Sequence, residues 1–113
     1  MTIEQLIYEY LTDEIEDVPV FPEIPTSNLP ETFIVFNVID RGLVDYIEAV
    51  TVELWSYAPT IYEAAALDEA VRETMLNMVS LPKISSSKLG GGRHDNDTTL
   101  KKHRYRCYFN LYL

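Results

Sequence analysis

TFIVFNVIDRGLVDYIEAVTVELWSYAPT, residues 32–60, is the stretch on which the fold turns. Its first part, residues 32–39, is an almost unbroken run of β-branched and aromatic side chains. Such a run favours a strand that is at least partly covered on both faces. Asp40-Arg41-Gly42 carries turn chemistry and predicts a reversal there. A second strand follows over residues 45–57, with Val50, Val52 and Leu54 alternating onto one face. The two runs make a hairpin, and Ala58-Pro59 ends it.

The C-terminal side of this hairpin reads as one helix and a second hairpin. Thr60 with Glu63 three residues on is a capping-box pattern. Ala64, Leu67, Val71, Met75 and Met78 then trace an apolar stripe to about Val79, which predicts a helix packed on the sheet through that stripe. Pro82 stops it, and residues 84–89 read as a strand. Gly90, Gly91, Gly92, Arg93 and His94 read as a mobile hairpin tip. From Leu100 to the end the chain alternates: His103, Tyr105, Cys107, Phe109, Leu111 and Leu113 fall on one face, Lys102, Arg104, Arg106, Tyr108, Asn110 and Tyr112 on the other.

The N-terminal side is a helix and a broken segment. Thr2 and Gln5 form a capping-box pattern, and Ile3, Leu6, Ile7, Tyr10 and Leu11 repeat at helical spacing, predicting a helix over residues 2–14. Its opposite face is acidic (Glu4, Glu9, Asp13, Glu14), the pattern of a solvated face. Pro19, Pro22, Pro25 and Pro30 exclude a helix after it and leave room for a short edge strand at residues 18–21. The sum is an α+β domain, a mainly antiparallel sheet of four to five strands with two helices packed on one face.

With 113 residues and 47% hydrophobic side chains, the chain has material for one core and one domain. No apolar run approaches the roughly 18 residues that a membrane span needs, and no basic leader opens the sequence, so a soluble, intracellular protein is expected. Cys107, the single cysteine, has no partner for an intramolecular disulfide and sits on the apolar face of its strand, where a buried thiol is expected. Charge is divided along the sequence. Up to Pro82, 16 acidic residues face only Arg41 and Arg72, a net of −14; from Lys83 onward seven Lys and Arg face Asp95 and Asp97, a net of +5.

Catalytic signals are thin. His94-Asp95-Asn96-Asp97 lacks the length, the glycine at the sixth position and the closing Glu of a calcium loop. The three glycines are not followed by a helix, so they lack the setting of a phosphate-cradling loop. His103 falls on the apolar face, where a core histidine is expected. The basic, tyrosine-rich last strand fits two kinds of partner. It suits a nucleic-acid backbone with stacking on its tyrosines, but the acidic balance of the whole chain opposes that. It also suits acidic protein, and the nearest supply is a second copy of this chain, met head to tail. Lys102, Arg104, Arg106, Tyr108 and Tyr112 are thus the candidate subunit-contact residues.

One resemblance adds to this. The approach Pro25-Thr-Ser-Asn-Leu-Pro-Glu-Thr-Phe-Ile-Val-Phe36, the strand-to-helix junction Val52-Glu-Leu-Trp-Ser-Tyr-Ala-Pro-Thr-Ile-Tyr-Glu-Ala-Ala65, and the polar Asp97-Thr98 loop before a terminal strand resemble the tail-terminator, or tail-completion, proteins of long-tailed bacteriophages, such as that of phage lambda. The resemblance implies a structural, non-enzymatic protein without cofactors. It implies a ring, hexameric in that family, that ends the tail tube and meets the tail-tube protein on one side and the head-tail connector protein on the other. DNA would pass through without specific binding. The implied location is the bacterial host cytoplasm during assembly and then the head-proximal end of the virion tail, with no membrane involved. Acidic walls would repel phosphate and let DNA slide. Another head-tail connector or tail-tube component, or a small nucleic-acid-binding domain, is the alternative.

Overall fold

A computed structural model describes residues 1–96 and 102–113. The expected strand start at Leu100, the Asp97-Thr98 loop and Lys101 lie outside them. The elements are α1 (Ile3–Glu14), β1 (Val20–Phe21), β2 (Phe33–Val44), β3 (Ile47–Ala58), α2 (Ile61–Leu76), a short 3-10 turn (Asn77–Ser80), β4 (Ser86–His94) and β5 (His103–Tyr112). They form a mixed, mostly antiparallel five-stranded sheet of order β1-β2-β3-β5-β4 with two helices, an α+β domain. Among the described residues no helix is long and apolar enough to cross a membrane.

Both helix starts follow from their caps. The Gln5 amide donates to the Thr2 hydroxyl at 3.1 Å, and the Thr2 amide donates to the Gln5 side chain at 2.9 Å, completing the box. At α2 the Thr60 hydroxyl accepts from the Glu63 amide at 3.2 Å. The 3-10 turn after Leu76 takes over the last residues of the expected helix, and Met78 still reaches the core.

The β2–β3 hairpin is longer than the sequence suggests. Asp40-Arg41-Gly42 does not reverse the chain; it continues β2 opposite Ala49, Val50 and Thr51. The reversal comes at Asp45 and Tyr46, with φ of 51° and 67°, the left-handed pair that matches the twist of a two-residue hairpin loop. A bulge at Ile39, between Val38 and Asp40, resets the alternation. It turns Arg41 toward α1, where its guanidinium lies 2.9 Å from Glu48 and 3.9 Å from Glu4. β1 lies parallel to β2, with Val20 beside Ile34 and Phe21 beside Val35, a pairing the proline-rich segment did not announce.

Two apolar clusters hold the sheet. The larger joins Ile3, Ile7 and Leu11 of α1 and Leu67, Val71 and Met75 of α2 to Ile34, Phe36, Val50, Val52, Leu54, Phe109 and Leu111. By strand alternation those sheet residues share one face. Val50, Val52 and Leu54 thus belong to one core with the α2 stripe, as the spacing predicts, and Ala64 is buried on the same helix. The Tyr10 hydroxyl donates to the Thr74 carbonyl at 2.7 Å, tying α1 to the end of α2. The smaller cluster lies on the other face, where Phe33 stacks on Tyr57 with ring centroids 4.4 Å apart, covered by Phe21, Ile24 and Leu29 of the proline-rich segment. Removing the fully buried Leu54 side chain (Leu54→Ala) should cost about 2–5 kcal/mol in urea unfolding, while Leu43→Ser, at an exposed hairpin position, should stay within about 0.5 kcal/mol. Equal effects would show that the two ends of the hairpin are wrongly divided between core and solvent.

Candidate assembly surface

The outer face of β5, turned away from the helices, carries Arg104, Arg106, Tyr108, Asn110 and Tyr112 in a row, with Lys102 half-buried just before the strand. The structure therefore brings the candidate contact residues onto one face. Their charge is partly spent within the chain, contrary to the reading that the row must find its complement in a neighbour. Arg104 donates to the Asp95 carbonyl at 2.8 Å, to its carboxylate at 3.2 Å and to the Tyr57 hydroxyl at 3.2 Å. Its guanidinium also lies 5.3 Å from the Trp55 ring centroid and 5.7 Å from that of Tyr57. Arg106 reaches the same Asp95 carboxylate at 3.8 Å. Only 16% of the Arg104 side chain is exposed, so this arginine is part of the fold first. Nothing in the sequence singled out Asp95 for this role, because the connection into β5 hides how close it returns to that strand.

The glycine segment is also corrected. Residues 90–94 are not a hairpin tip: they belong to β4 and pair with β5, Gly91 opposite Tyr108, Gly92 opposite Cys107, Arg93 opposite Arg106 and His94 opposite Tyr105. Gly90 forms a bulge between Leu89 and Gly91. The glycines are there because side chains lie over them. A Cβ at Gly90 would sit 2.6 Å from the Tyr108 ring, and Gly91 has φ of 152° under the Tyr108 hydroxyl. At Gly92 a Cβ would run into the Arg72 guanidinium from α2 and lie 2.7 Å from the Arg106 carbonyl oxygen. Arg93 and His94 are exposed, His94 beside the Tyr105 ring at 5.1 Å and donating from Nε2 to the Asn96 Oδ1 at 2.6 Å.

Arg72 reaches over Gly92 because it pairs with the buried Asp68 one turn earlier, at 2.8 Å. Burial raises the Asp68 carboxyl above the ordinary carboxylate range, more than Arg72 lowers it. Burial, together with Asp68, pushes the Cys107 thiol up to about 12, so it stays protonated and unreactive at neutral pH. Ser56 is fully buried near by on the same face, and the buried His103 Nδ1 has no hydrogen-bond partner among the described residues. By strand alternation Ser56 and His103 fall on the helix side of the sheet, the side to which Asp68 of α2 also belongs. The sequence reading did not group them, since nothing in their spacing joins β3, α2 and β5.

The exposed features lie elsewhere. At the β2–β3 hairpin end Leu43, Val44, Tyr46 and Ile47 are solvent-exposed, Tyr46 almost completely at 99%. These positions project past the last level at which β3 and β5 pair, Ala49 with Tyr112. Side chains that apolar at a protruding tip mark a contact surface. The reading of Asp40-Arg41-Gly42 as the turn concealed them. The flank of β1 and β2 is acidic, with Glu4 and Glu9 of the adjoining α1, Glu23 and Asp40, but α2, which packs on β3, β5 and β4, carries Glu63, Glu69 and Glu73 toward the other side. The β4 edge carries the exposed Lys88 and Arg93, which make no ion pair among the described residues, whereas Lys83 lies beside Ile3 and Leu6 of α1. A cleft of about 570 Å³ with Val20, Phe21 and Phe36 as its apolar floor and Glu4 and Glu9 at its rim opens on the acidic flank.

Among the described residues no group of three or more His, Cys, Asp and Glu is placed to hold a metal ion. Comparison of the chain with protein-family models and with curated protein sequences finds no match. Because α2 presses on β4 through Arg72, Gly92→Ala should lower unfolding free energy by about 1–3 kcal/mol, the usual cost of overpacking. A Gly92→Ala protein as stable as wild type would contradict the close approach.

Proposed function

We propose that this chain is a structural, non-enzymatic protein that assembles head to tail with copies of itself into a closed ring, and that the ring ends a bacteriophage tail tube at its head-proximal side. The observation that carries the self-assembly is the opposition of charge at the two sides of one sheet, Glu4, Glu9, Glu23 and Asp40 by β1 and β2 against Lys88 and Arg93 on the edge strand β4. An acidic flank and a basic flank at opposite edges are complementary only through a heterologous contact, and repetition of that contact gives a ring or a filament. The resemblance in the proline-bearing approach to β2 and in the β3–α2 junction supplies the tail-terminator assignment and its count of six copies.

In this reading the apolar hairpin tip is the docking element toward the tail-tube or connector protein. It projects from the body along the strand direction, across the direction in which the flanks would join. Ring contacts and axial contacts are thus kept on separate surfaces. The net charge of −9 opposes DNA at long range, and the pairing of Arg104 and Arg106 with Asp95 weakens the case for a phosphate-binding strand. DNA then passes the ring without specific binding. The protein would work in the bacterial cytoplasm during assembly and remain in the virion tail.

The test is sedimentation equilibrium over a range of concentration and salt, followed by negative-stain imaging of the assembled fraction and of tail tubes incubated with the protein. Rings of uniform size, found at tube ends and loosened by salt, are the expected result. A monomer at every concentration that also leaves tube ends bare would overturn the assignment.

A further inference from the structure

We infer that copies of this chain join by antiparallel strand pairing, the free edge of β4 (residues 86–92) of one copy docking on the free edge of β2 (residues 36–42) of the next, with Lys88 meeting Asp40. This names the contact surface within the ring reading and rests on it.

Four observations lead there. First, among the described residues the sheet has two unpaired edges. β4 is the last strand of the sheet, and β1 covers β2 only at Ile34 and Val35, leaving the rest of its outer edge open. An unpaired strand edge is a row of backbone donors and acceptors ready for another strand.

Second, the directions fit. β3 runs against β2, β5 against β3 and β4 against β5, so β4 runs opposite to β2. A copy displaced along the strand-to-strand direction, without being turned over, therefore presents β2 antiparallel to β4. That is the operation a head-to-tail ring repeats.

Third, the two edges match level by level. Tracing partners across the sheet puts Gly42, Ala49, Tyr112 and Ser86 on one level, and Phe36, Leu54, Cys107 and Gly92 on another. Between these limits each edge strand holds one bulge residue, Ile39 in β2 and Gly90 in β4. The open runs 36–42 and 86–92 are equal in length, and β1 begins to cover β2 only at the levels of Arg93 and His94.

Fourth, the side chains are complementary at those levels. Asp40 and Lys88 share the level of Thr51 and Asn110 and project on the same, outer face. Leu89, 43% exposed, shares the level of Val38 and would meet it and the exposed Ile39 on docking. A salt link then fixes register while apolar contact supplies affinity. Edge charges also serve to keep strands apart, and the experiment separates the two roles.

The experiment uses the full chain with paired cysteines, Asp40→Cys and Lys88→Cys, both at exposed positions, with folding verified by circular dichroism. Mild oxidation of the double variant should give a ladder of cross-linked species ending at the ring size. An equal mixture of the two single variants should give dimers, and neither single variant alone should. Without the engineered cysteines, Lys88→Asp or Asp40→Lys alone should weaken association tenfold or more, and the two together should restore it. A closed oligomer by mass without these cross-links, or charge variants that associate as wild type does, would overturn the edge pairing and leave the ring reading standing. Cross-links that grow into open filaments without limit would support the edge pairing and overturn the closed ring. A protein that neither associates nor cross-links would overturn both.

Discussion

The pairing of β3 with β5, from Ala49 opposite Tyr112 to Ala58 opposite His103, is the constraint on which the rest of the structure depends. It joins segments far apart in sequence, so it closes a long loop and must be repaid by burial. The repayment is visible in Val50, Val52 and Leu54 meeting Cys107, Phe109 and Leu111 under α2. Inserting β5 between β3 and β4 also sends β4 to the far edge. Asp40 of β2 and Lys88 of β4 thereby come to opposite sides of one sheet, while the acidic α2 packs on β3, β5 and β4.

Inside that frame the polar residues do structural work before any other. Asp95 gathers Arg104 and Arg106, and Arg104 in turn caps the aromatic cluster of Trp55 and Tyr57. On the helix side Asp68 holds Arg72 over Gly92. The glycine run is flattened between Arg72 on one face and Tyr108 on the other, which makes it a site of close packing. Each pair removes residues from the pool available to a partner. Among the described residues, the exposed groups at the two edges include Lys88, which lies over the Tyr112 ring at 6.0 Å, Arg93 and Asp40, and the hairpin tip between Leu43 and Ile47 is exposed as well.

The elements were legible wherever a single period ran uninterrupted. The stripe of α2, the alternation of β5 and the caps at Thr2 and Thr60 were readable because each is a local pattern with a local cause. The length of the β2–β3 hairpin was not, because Asp40-Arg41-Gly42 has the composition of a turn. Cross-strand pairing with Ala49, Val50 and Thr51 outweighs that preference, and the turn falls on Asp45-Tyr46, which carries no glycine. The glycine strand failed for a related reason: glycine favours loops when read alone, and only the long-range arrival of Arg72 and Tyr108 gives it a place in a sheet. Contact residues on β5 were found by alternation, but their pairing with Asp95 depends on a return of the chain that no spacing encodes.

Self-assembly through the two sheet edges is tested most directly by amide hydrogen exchange, followed residue by residue in dilute and in concentrated protein. Edge amides of residues 36–42 and 86–92 should gain protection together as concentration rises, while the hairpin tip at Asp45 and Tyr46 keeps exchanging. Assembled protein in which both edges go on exchanging freely contradicts edge-to-edge assembly.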